Sequence, residues 1–288
     1  MAQLISQLAD GLLLGALYAL MALGLTTMFG VMRITNFAYG VLFMLGAYVG
    51  YVIERNFHQT FVVALVVSMA VMFIIGMVIE VGLFNWLRKS EERTILAGLG
   101  LMLLGEGLIV MGFGSANKLL NSGINGSVNF SGGAIANDQI FASGLAVVLL
   151  IGAAVVVKKT PAGRMMRSVA DDPNRASLLG ISQRWVYMFT FGAATALSAG
   201  AACLLATWWQ VSPTMDSPAL LLGFVIVIIG GMGSMVGSII AGLGIGVIFT
   251  LFQTYVSQSF APAVPYLLLL VLLIVRPQGI LGKKQRSA

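Results

Sequence analysis

Lys158 to Arg184 reads KKTPAGRMMRSVADDPNRASLLGISQR, the one long charged stretch in an otherwise apolar chain. Of the protein's 16 Lys and Arg residues, six stand here: Lys158, Lys159, Arg164, Arg167, Arg175 and Arg184. Long apolar runs flank it on both sides, so the segment has to leave the bilayer and meet something in water. Thr160-Pro161 and Asp172-Pro173 each place a capping oxygen ahead of a proline at a first helical position, which predicts two short helices. Gly180 is a suitable residue to stop the second. Met165, Met166, Val169, Leu178, Leu179 and Ile181 give these helices apolar faces among the charges. Such a surface suits a partner or the membrane interface; the plainer alternative is a solvated loop.

Composition sets the class of the rest. Hydrophobic residues make up 59% and charged residues 9% of the chain, with a mean hydropathy of +0.98, far from the roughly 25% charged residues of soluble domains. The chain is expected to be an all-α polytopic membrane protein with one transmembrane domain over residues 1–288. Its length allows roughly eight to ten helices of about 20 residues with short loops. A net charge of +6 would suit an anion or nucleic-acid binder, but in a membrane protein it more often marks cytoplasmic loops. No nucleic-acid partner is expected. Cys203 has no second cysteine to pair with, and His58 is a lone loop histidine, so neither a disulfide nor a metal site is expected.

Outward from the centre, apolar segments are read at about 11–31, 36–53, 61–87, 94–114 and 140–157 before the charged stretch. After it they fall at about 185–209, 219–229, up to 255, and 263–275. Gly11 and Gly15 form a small-xxx-small pair that lets another helix approach closely. Asn36-Phe37-Ala38-Tyr39-Gly40 opens the second segment with polar character. It reads either as a helix that starts inside the membrane, as transporter sites require, or as ordinary close packing. Gly230-Gly231-Met232-Gly233-Ser234 interrupts the apolar pattern between the seventh and eighth segments. Residues 115–139 read as a polar external loop. About eight to nine transmembrane helices with discontinuous or re-entrant segments are therefore expected.

The charges test the orientation. With the central stretch inside, the inner set is Arg33, Arg88, Lys89, Arg93, the six central residues, Arg276, Lys283, Lys284 and Arg286, and the outer set is Arg55 and Lys118. A split of 14 to 2 predicts an N-terminus outside and a C-terminus in the cytoplasm.

Several of these stretches together resemble a known family. They are Gly15-Ala16-Leu17-Tyr18-Ala19-Leu20, Asn36 to Gly40, Thr160 to Arg167 continuing into Ala176 to Ile181, Gly230 to Ser234, and Arg276-Pro277-Gln278-Gly279-Ile280-Leu281-Gly282. In order and spacing the chain resembles permease subunits of ABC importers for branched-chain amino acids, a group that also includes urea and short-amide importers. The resemblance implies the ABC importer permease fold and a multi-pass location in the bacterial inner membrane. It also implies a second homologous permease, expected as a heterodimer, two cytoplasmic ABC ATPases and a periplasmic solute-binding protein. The chain has no G-x-x-x-x-G-K-[ST] loop, so ATP and Mg are expected in the ATPase subunits and no cofactor in this chain.

On that resemblance, residues 158–184 become the cytoplasmic coupling segment, with Thr160, Gly163, Arg164, Arg167, Asp172, Arg175 and Gly180 as its candidate residues. The substrate pathway is assigned to Asn36, Phe37, Tyr39, Gly40, Met44, Glu106, Gly230, Gly231, Gly233 and Ser234. Where many members have His in the second motif this chain has Tyr39, and where many have an acid in the eighth segment it has Phe249. Glu106 sits in an apolar segment, where an acid is costly unless paired, protonated or facing water. It reads as an ammonium contact, or as a protonated Glu bonded to a neighbouring helix or the second permease. Glu80, nearer Arg88, reads as structural. Trp208 and Trp209 suit an apolar route or the interfacial aromatic belt. An ATP-independent channel for a small neutral solute is the competing transport reading. An enzyme is disfavoured, since no catalytic or metal-ligand spacing is present.

Overall fold

In the computed structural model the described residues are 2–32, 36–88, 90–120, 122–124, 126–130, 133–276 and 278–282. Arg33, Lys89, Lys283, Lys284 and Arg286 of the charge count, and Pro277 of the terminal motif, lie outside them. The chain forms α1 (Ala2–Met32), α2 (Tyr39–Phe57), α3 (Phe61–Ile79), a π-helical turn (Glu80–Phe84), α4 (Asn85–Leu87) and α5 (Glu91–Phe113). A hairpin, β1 (Ser127–Phe130) with β2 (Gly133–Ala136), leads into α6 (Asn137–Lys159). Then follow α7 (Pro161–Asp171), α8 (Pro173–Leu178), α9 (Gln183–Leu205), α10 (Asp216–Gly230), α11 (Met235–Tyr255) and α12 (Val264–Val275).

The architecture is the expected all-helical polytopic one, with local differences. Six helices are long and apolar enough to cross a membrane: Gln3–Met32, Phe61–Leu87, Glu91–Phe113, Asn137–Lys159, Gln183–Leu205 and Met235–Tyr255. α10 and α12, with 15 and 12 residues, reach only about 22 and 18 Å at 1.5 Å per residue, short of a hydrocarbon core of about 30 Å. α1 begins nine residues earlier than its apolar run, at Ala2. The expected external loop carries the antiparallel pair β1–β2, with Ser127 opposite Ala136. Its Asn, Ser and Gly content concealed the short alternation. Third-segment helicity runs on through a π-helical turn at Glu80, which no local residue signal announces.

α1 and α9 form the centre. Leu17, Ala19, Leu20, Met21, Ala22, Leu23 and Leu25 have no exposure, so α1 is covered on all sides, as a core helix should be. Its main partner is α11, packed antiparallel: Gly11 meets Val247, Gly15 meets Leu243, Ala19 meets Gly242 and Gly30 meets Gly233. The contact depends on absent side chains. A Cβ at Gly15 would stand 2.8 Å from the Leu243 Cα, and one at Gly242 would stand 2.6 Å from the Ala19 Cα. Backbone against backbone leaves no flexible atom to yield. In the same seam Thr26 and Ser238 share a hydrogen bond of 2.6 Å, a buried polar link whose alternative in hydrocarbon would be two unsatisfied hydroxyls.

The second seam joins α2, α3 and α9. The Ser68 hydroxyl donates to the Gly46 carbonyl at 2.6 Å, and Thr195 donates to the Met72 carbonyl at 2.9 Å. Cys203, buried and unpaired, contacts the same Gly46 carbonyl, consistent with a small core residue. At the end of α3, Glu80, 2% exposed, pairs with Arg88. The Arg88 guanidinium carbon lies 3.8 Å from the centroid of the Tyr187 ring. This cation–π contact ties the α3 terminus to the start of α9, which gives Glu80 the structural role its position suggested.

Gly242→Val is expected to destabilise the protein by about 1–3 kcal/mol or more through overpacking. Gly244→Val, on a face with nothing within 4 Å, should leave stability unchanged. Thermal unfolding of the two purified variants in the same detergent measures the difference; equal midpoints would remove the seam's assigned importance.

Candidate functional site

Two regions hold the sequence-assigned residues: a capped elbow between α6 and α9, and a partly exposed face where α2, α5 and α10 meet. The elbow is built by two caps. The Thr160 hydroxyl accepts from the Gly163 amide at 3.1 Å, with Pro161 opening α7. The Asp172 carboxylate accepts from the Asn174 and Arg175 amides at 2.9 and 3.1 Å, with Pro173 opening α8. Gly180, at φ +79, ends the second helix in the left-handed region that favours glycine.

Gly163 is there for space. A Cβ at that position would come within 2.2 Å of the Val157 carbonyl oxygen, so glycine lets α7 turn back against the end of α6. Arg167 donates to the Val157 carbonyl and reaches that of Lys158 at 3.5 Å. Its guanidinium thus covers helix-end carbonyls of α6, so the geometry spends it inside the elbow. Arg175 pairs with Asp172 at 3.0 Å. The apolar residues divide between two faces. Met166, Val169 and Ala176 are buried towards the bundle, while Leu178 and Leu179 stand 86% and 78% exposed at the tip, with Met165 and Arg164 also outward.

The pathway residues also divide. Asn36, 2% exposed, caps the entry to α2: its side-chain oxygen accepts from the Ala38 amide at 2.9 Å and its amide nitrogen contacts Met28 sulfur at 3.4 Å. The α2 start therefore lies level with Met28, inside the α1 helix rather than at its end. Tyr39 and Met44 have no exposure. The Tyr39 hydroxyl donates to the Met21 carbonyl, and Gly24 makes room for it. These two side chains are packed into the bundle. A Cβ at Gly40 would stand 2.5 Å from the Asp216 carbonyl oxygen, so Gly40 admits the start of α10.

Gly230, Gly231, Gly233 and Ser234 do not join this group. They form the tight α10–α11 turn, 14 residues and about 21 Å along α10 from Asp216. Gly231, at φ +97, packs against Leu281 and Gly282, and the Ile280 and Leu281 amides donate to the Ile229 and Gly230 carbonyls. The Ser234 hydroxyl caps α11 through the Gly237 amide. Their placement is that of a folded corner held by the C-terminal segment.

Glu106 is half-buried on α5, one residue beyond Gly105, which packs on Val41 of α2. Against the adjacent position of α2, Gly40, packs an acid that the sequence reading passed over. Asp216, 1% exposed, is the first residue of α10 and interacts electrostatically with Glu106. Neither Asp216 oxygen has a hydrogen-bond partner on another element; amides of its own turn, at Asp216 and Ser217, are the nearest donors. Among the described residues the ion pairs are Arg88 with Glu80 and Arg175 with Asp172, so no cation compensates these two carboxyls. Phe37, partly buried, makes a ring contact with Phe224 at 5.7 Å, about two turns along α10 from Asp216. Asp216 escaped notice because Ser212-Pro213 to Ser217-Pro218 reads as turn. The available signal was an acid on the border of an apolar run.

Among the described residues no group of three or more His, Cys, Asp or Glu side chains is placed to hold a metal ion. What the face offers chemically is two carboxyl groups with no ion-pair partner among the described residues.

Comparison with known proteins is consistent across nearly the whole length. The profile of the family described as "Branched-chain amino acid transport system / permease component" matches residues 7–276. The high-affinity branched-chain amino acid transport system permease protein LivH of Salmonella typhimurium is 29% identical over 298 aligned positions, covering 98% of this chain and 96% of that protein. LivH of Escherichia coli K12 is likewise 29% identical with the same coverage. The corresponding permease BraD of Pseudomonas aeruginosa is 26% identical, again over 98% and 96%. No solved structure matches. A profile match from the first turns of α1 to the end of α12, on a bundle of this architecture, shows that the chain belongs to the family of branched-chain amino acid transport permeases.

Proposed function

We propose that the chain is the membrane-spanning permease subunit of an ATP-driven importer for branched-chain or other hydrophobic amino acids. A periplasmic binding protein delivers the solute, a second homologous permease completes the pathway as a heterodimer, and two cytoplasmic ATPases hold ATP and Mg. The chain itself carries out no chemistry on its solute. In this reading the N-terminus is outside and the C-terminus cytoplasmic, in the bacterial inner membrane, which the charge asymmetry supports.

The observation that carries the proposal is the capped elbow of α7 and α8. An exposed loop with no binding role does not need two caps, a glycine fitted against α6 and an arginine spent on holding the hinge. Nor does it hold leucines at 86% and 78% exposure at the tip of a polar segment, where they bury no area unless a partner covers them. Arg164, Arg175 and the Leu178–Leu179 tip form the surface for the ATPase; Arg167, Gly163 and Thr160 fix its angle to α6. Movement of the docked ATPase then reaches the bundle through α6 and through α9, which Tyr187 and Arg88 tie to α3.

For the solute, the ammonium group is assigned to Glu106 and Asp216, two carboxyls without a cation at the depth where α2 and α10 begin. Helices that start within the membrane direct amide dipoles at the same place, a suitable counterpart for a carboxylate. A zwitterion thereby finds both complements. The uncharged Tyr39 and Phe249, at positions where many family members carry His or an acid, favour a second reading, a permease for urea or short amides, and an ATP-independent small-solute channel would need neither ATPase nor binding protein.

Proteoliposomes decide among these. With the co-purified partners and ATP, leucine and valine uptake is expected, and omission of ATP or of the partners should abolish it. Preferential uptake of urea or acetamide would move the assignment to the amide branch, and equal passive flux through the chain alone would end the importer reading.

Asp172→Ala removes a cap worth about 1 kcal/mol and should lower both uptake and solute-stimulated ATP hydrolysis while membrane insertion stays normal; Arg167→Ala should act similarly. Full coupling in Asp172→Ala would exclude that residue from the elbow's function.

Asp216→Asn and Glu106→Gln are each expected to raise the leucine KM about tenfold or more, the scale of one lost charge-assisted hydrogen bond of roughly 1.5–3 kcal/mol. Unchanged KM in both variants would remove the ammonium assignment.

A further inference from the structure

A separate cavity lies at the end of the bundle where α1 begins and α11 finishes, the end remote from the α7–α8 elbow. Its volume is about 350 Å³, at the small end of the roughly 300–1,000 Å³ typical of small-molecule sites. Gln7 and Asp10 of α1, Trp208 and Trp209 from the segment after α9, and Phe249 and Thr254 of α11 line it. The β2 and α6 starts close one side through Ala134 and Gln139.

Its chemistry is specific. Asp10 is half-buried and, among the described residues, has no Lys or Arg in ion-pair contact. Across the cavity stand two indoles and a phenyl ring, held rigid by Tyr18, whose ring lies 6.1 Å from Trp209 and 6.3 Å from Phe249. A carboxylate beside aromatic faces attracts a cation through both charge and ring quadrupole. Donors are also left over. The Gln7 side-chain oxygen accepts from the Thr254 hydroxyl at 2.8 Å, which leaves the Gln7 amide hydrogens available. The other cavity of similar size, about 340 Å³ between α2, α3 and α5 around Tyr48 and Phe113, has an entirely apolar accessible lining and offers no comparable recognition.

We propose that this outer cavity is a second binding site, distinct from Glu106 and Asp216, for a primary ammonium compound with an apolar body. Asp10 holds the ammonium, Trp209 and Phe249 enclose the apolar part, and the Gln7 amide meets an anionic group on the same molecule. Two sources carry that chemistry: a free amino acid waiting at the outer face, and the ethanolamine headgroup of an outer-leaflet lipid. The free-solute case rests on the importer reading; the site's ammonium chemistry does not.

Tryptophan emission of the full-length chain in phosphatidylglycerol nanodiscs, without ATP or binding protein, tests the site. The Trp208→Phe, Trp209→Phe double variant serves as blank. Leucine and isobutylamine should each give a saturable change and neutral isovaleramide none. Asp10→Asn should raise half-saturation at least tenfold, with Asp10→Glu retaining the response. Gln7→Leu alone should weaken leucine but not isobutylamine, which lacks the carboxylate. If phosphatidylethanolamine nanodiscs shift the emission and suppress the leucine response, the lipid headgroup is the occupant of the proposed site. No response to either amine, a response that persists in the blank, or equal half-saturation in Asp10→Asn overturns the proposal. Loss of ATP-driven uptake in proteoliposomes would instead count against the importer reading, leaving this binding readout intact.

Discussion

Close backbone approach between α1 and α11 is the constraint on which the structure depends. Inside hydrocarbon, helices gain little from hiding apolar side chains, because lipid tails are equally apolar; association rests on van der Waals packing and on polar groups that find each other. The seam from Gly11 and Val247 to Gly30 and Gly233 supplies the first, and the Thr26–Ser238 hydrogen bond supplies the second. α1 is thereby locked as a central post. α9, α6 and α10 pack round it, and α2 is laid over it by the Tyr39 hydroxyl on the Met21 carbonyl.

From that post the interrupted helices acquire meaning. An exposed helix end in lipid would leave amides and carbonyls without partners, which is tolerated only where protein or a water-filled cavity covers them. Here Asn36 covers the start of α2, and the C-terminal Ile280 and Leu281 cover the α10–α11 corner. Asp216 stands at the remaining end, at the first turn of α10. There the helix dipole favours a negative group, yet among the described residues no cation pairs with it.

The α7–α8 elbow follows the opposite logic, since its polar groups are exposed. Its caps, its fitted Gly163 and the Arg167 contacts with α6 serve geometry, and its exposed leucines serve contact. Rigid angle and adhesive tip together are what a lever requires. Glu80, Arg88 and Tyr187 link the turn after α3 to α9, with a buried pair whose separation would strand a charge at a cost of several kcal/mol.

By itself the sequence determined those features that rest on local chemistry. Apolar runs announced helices because backbone groups in lipid must be satisfied within their own segment. Thr160-Pro161, Asp172-Pro173 and Gly180 announced the elbow because caps act within one turn, and Gly11 with Gly15 announced a close neighbour without identifying it. Family membership was legible for the same reason, since its motifs are these local devices in a set order. Only the tertiary structure decided that α11 is the partner of α1, that Tyr39 and Met44 face the packed bundle, and that Gly230 to Ser234 form the corner between α10 and α11. It also brought Asp216 to Glu106, 110 positions apart in the chain, and gathered Asp10, Trp208 and Phe249 round one cavity. Such meetings depend on which helices lie side by side and at what depth. That is settled by the summed packing of many weak contacts, and no single stretch of residues carries it.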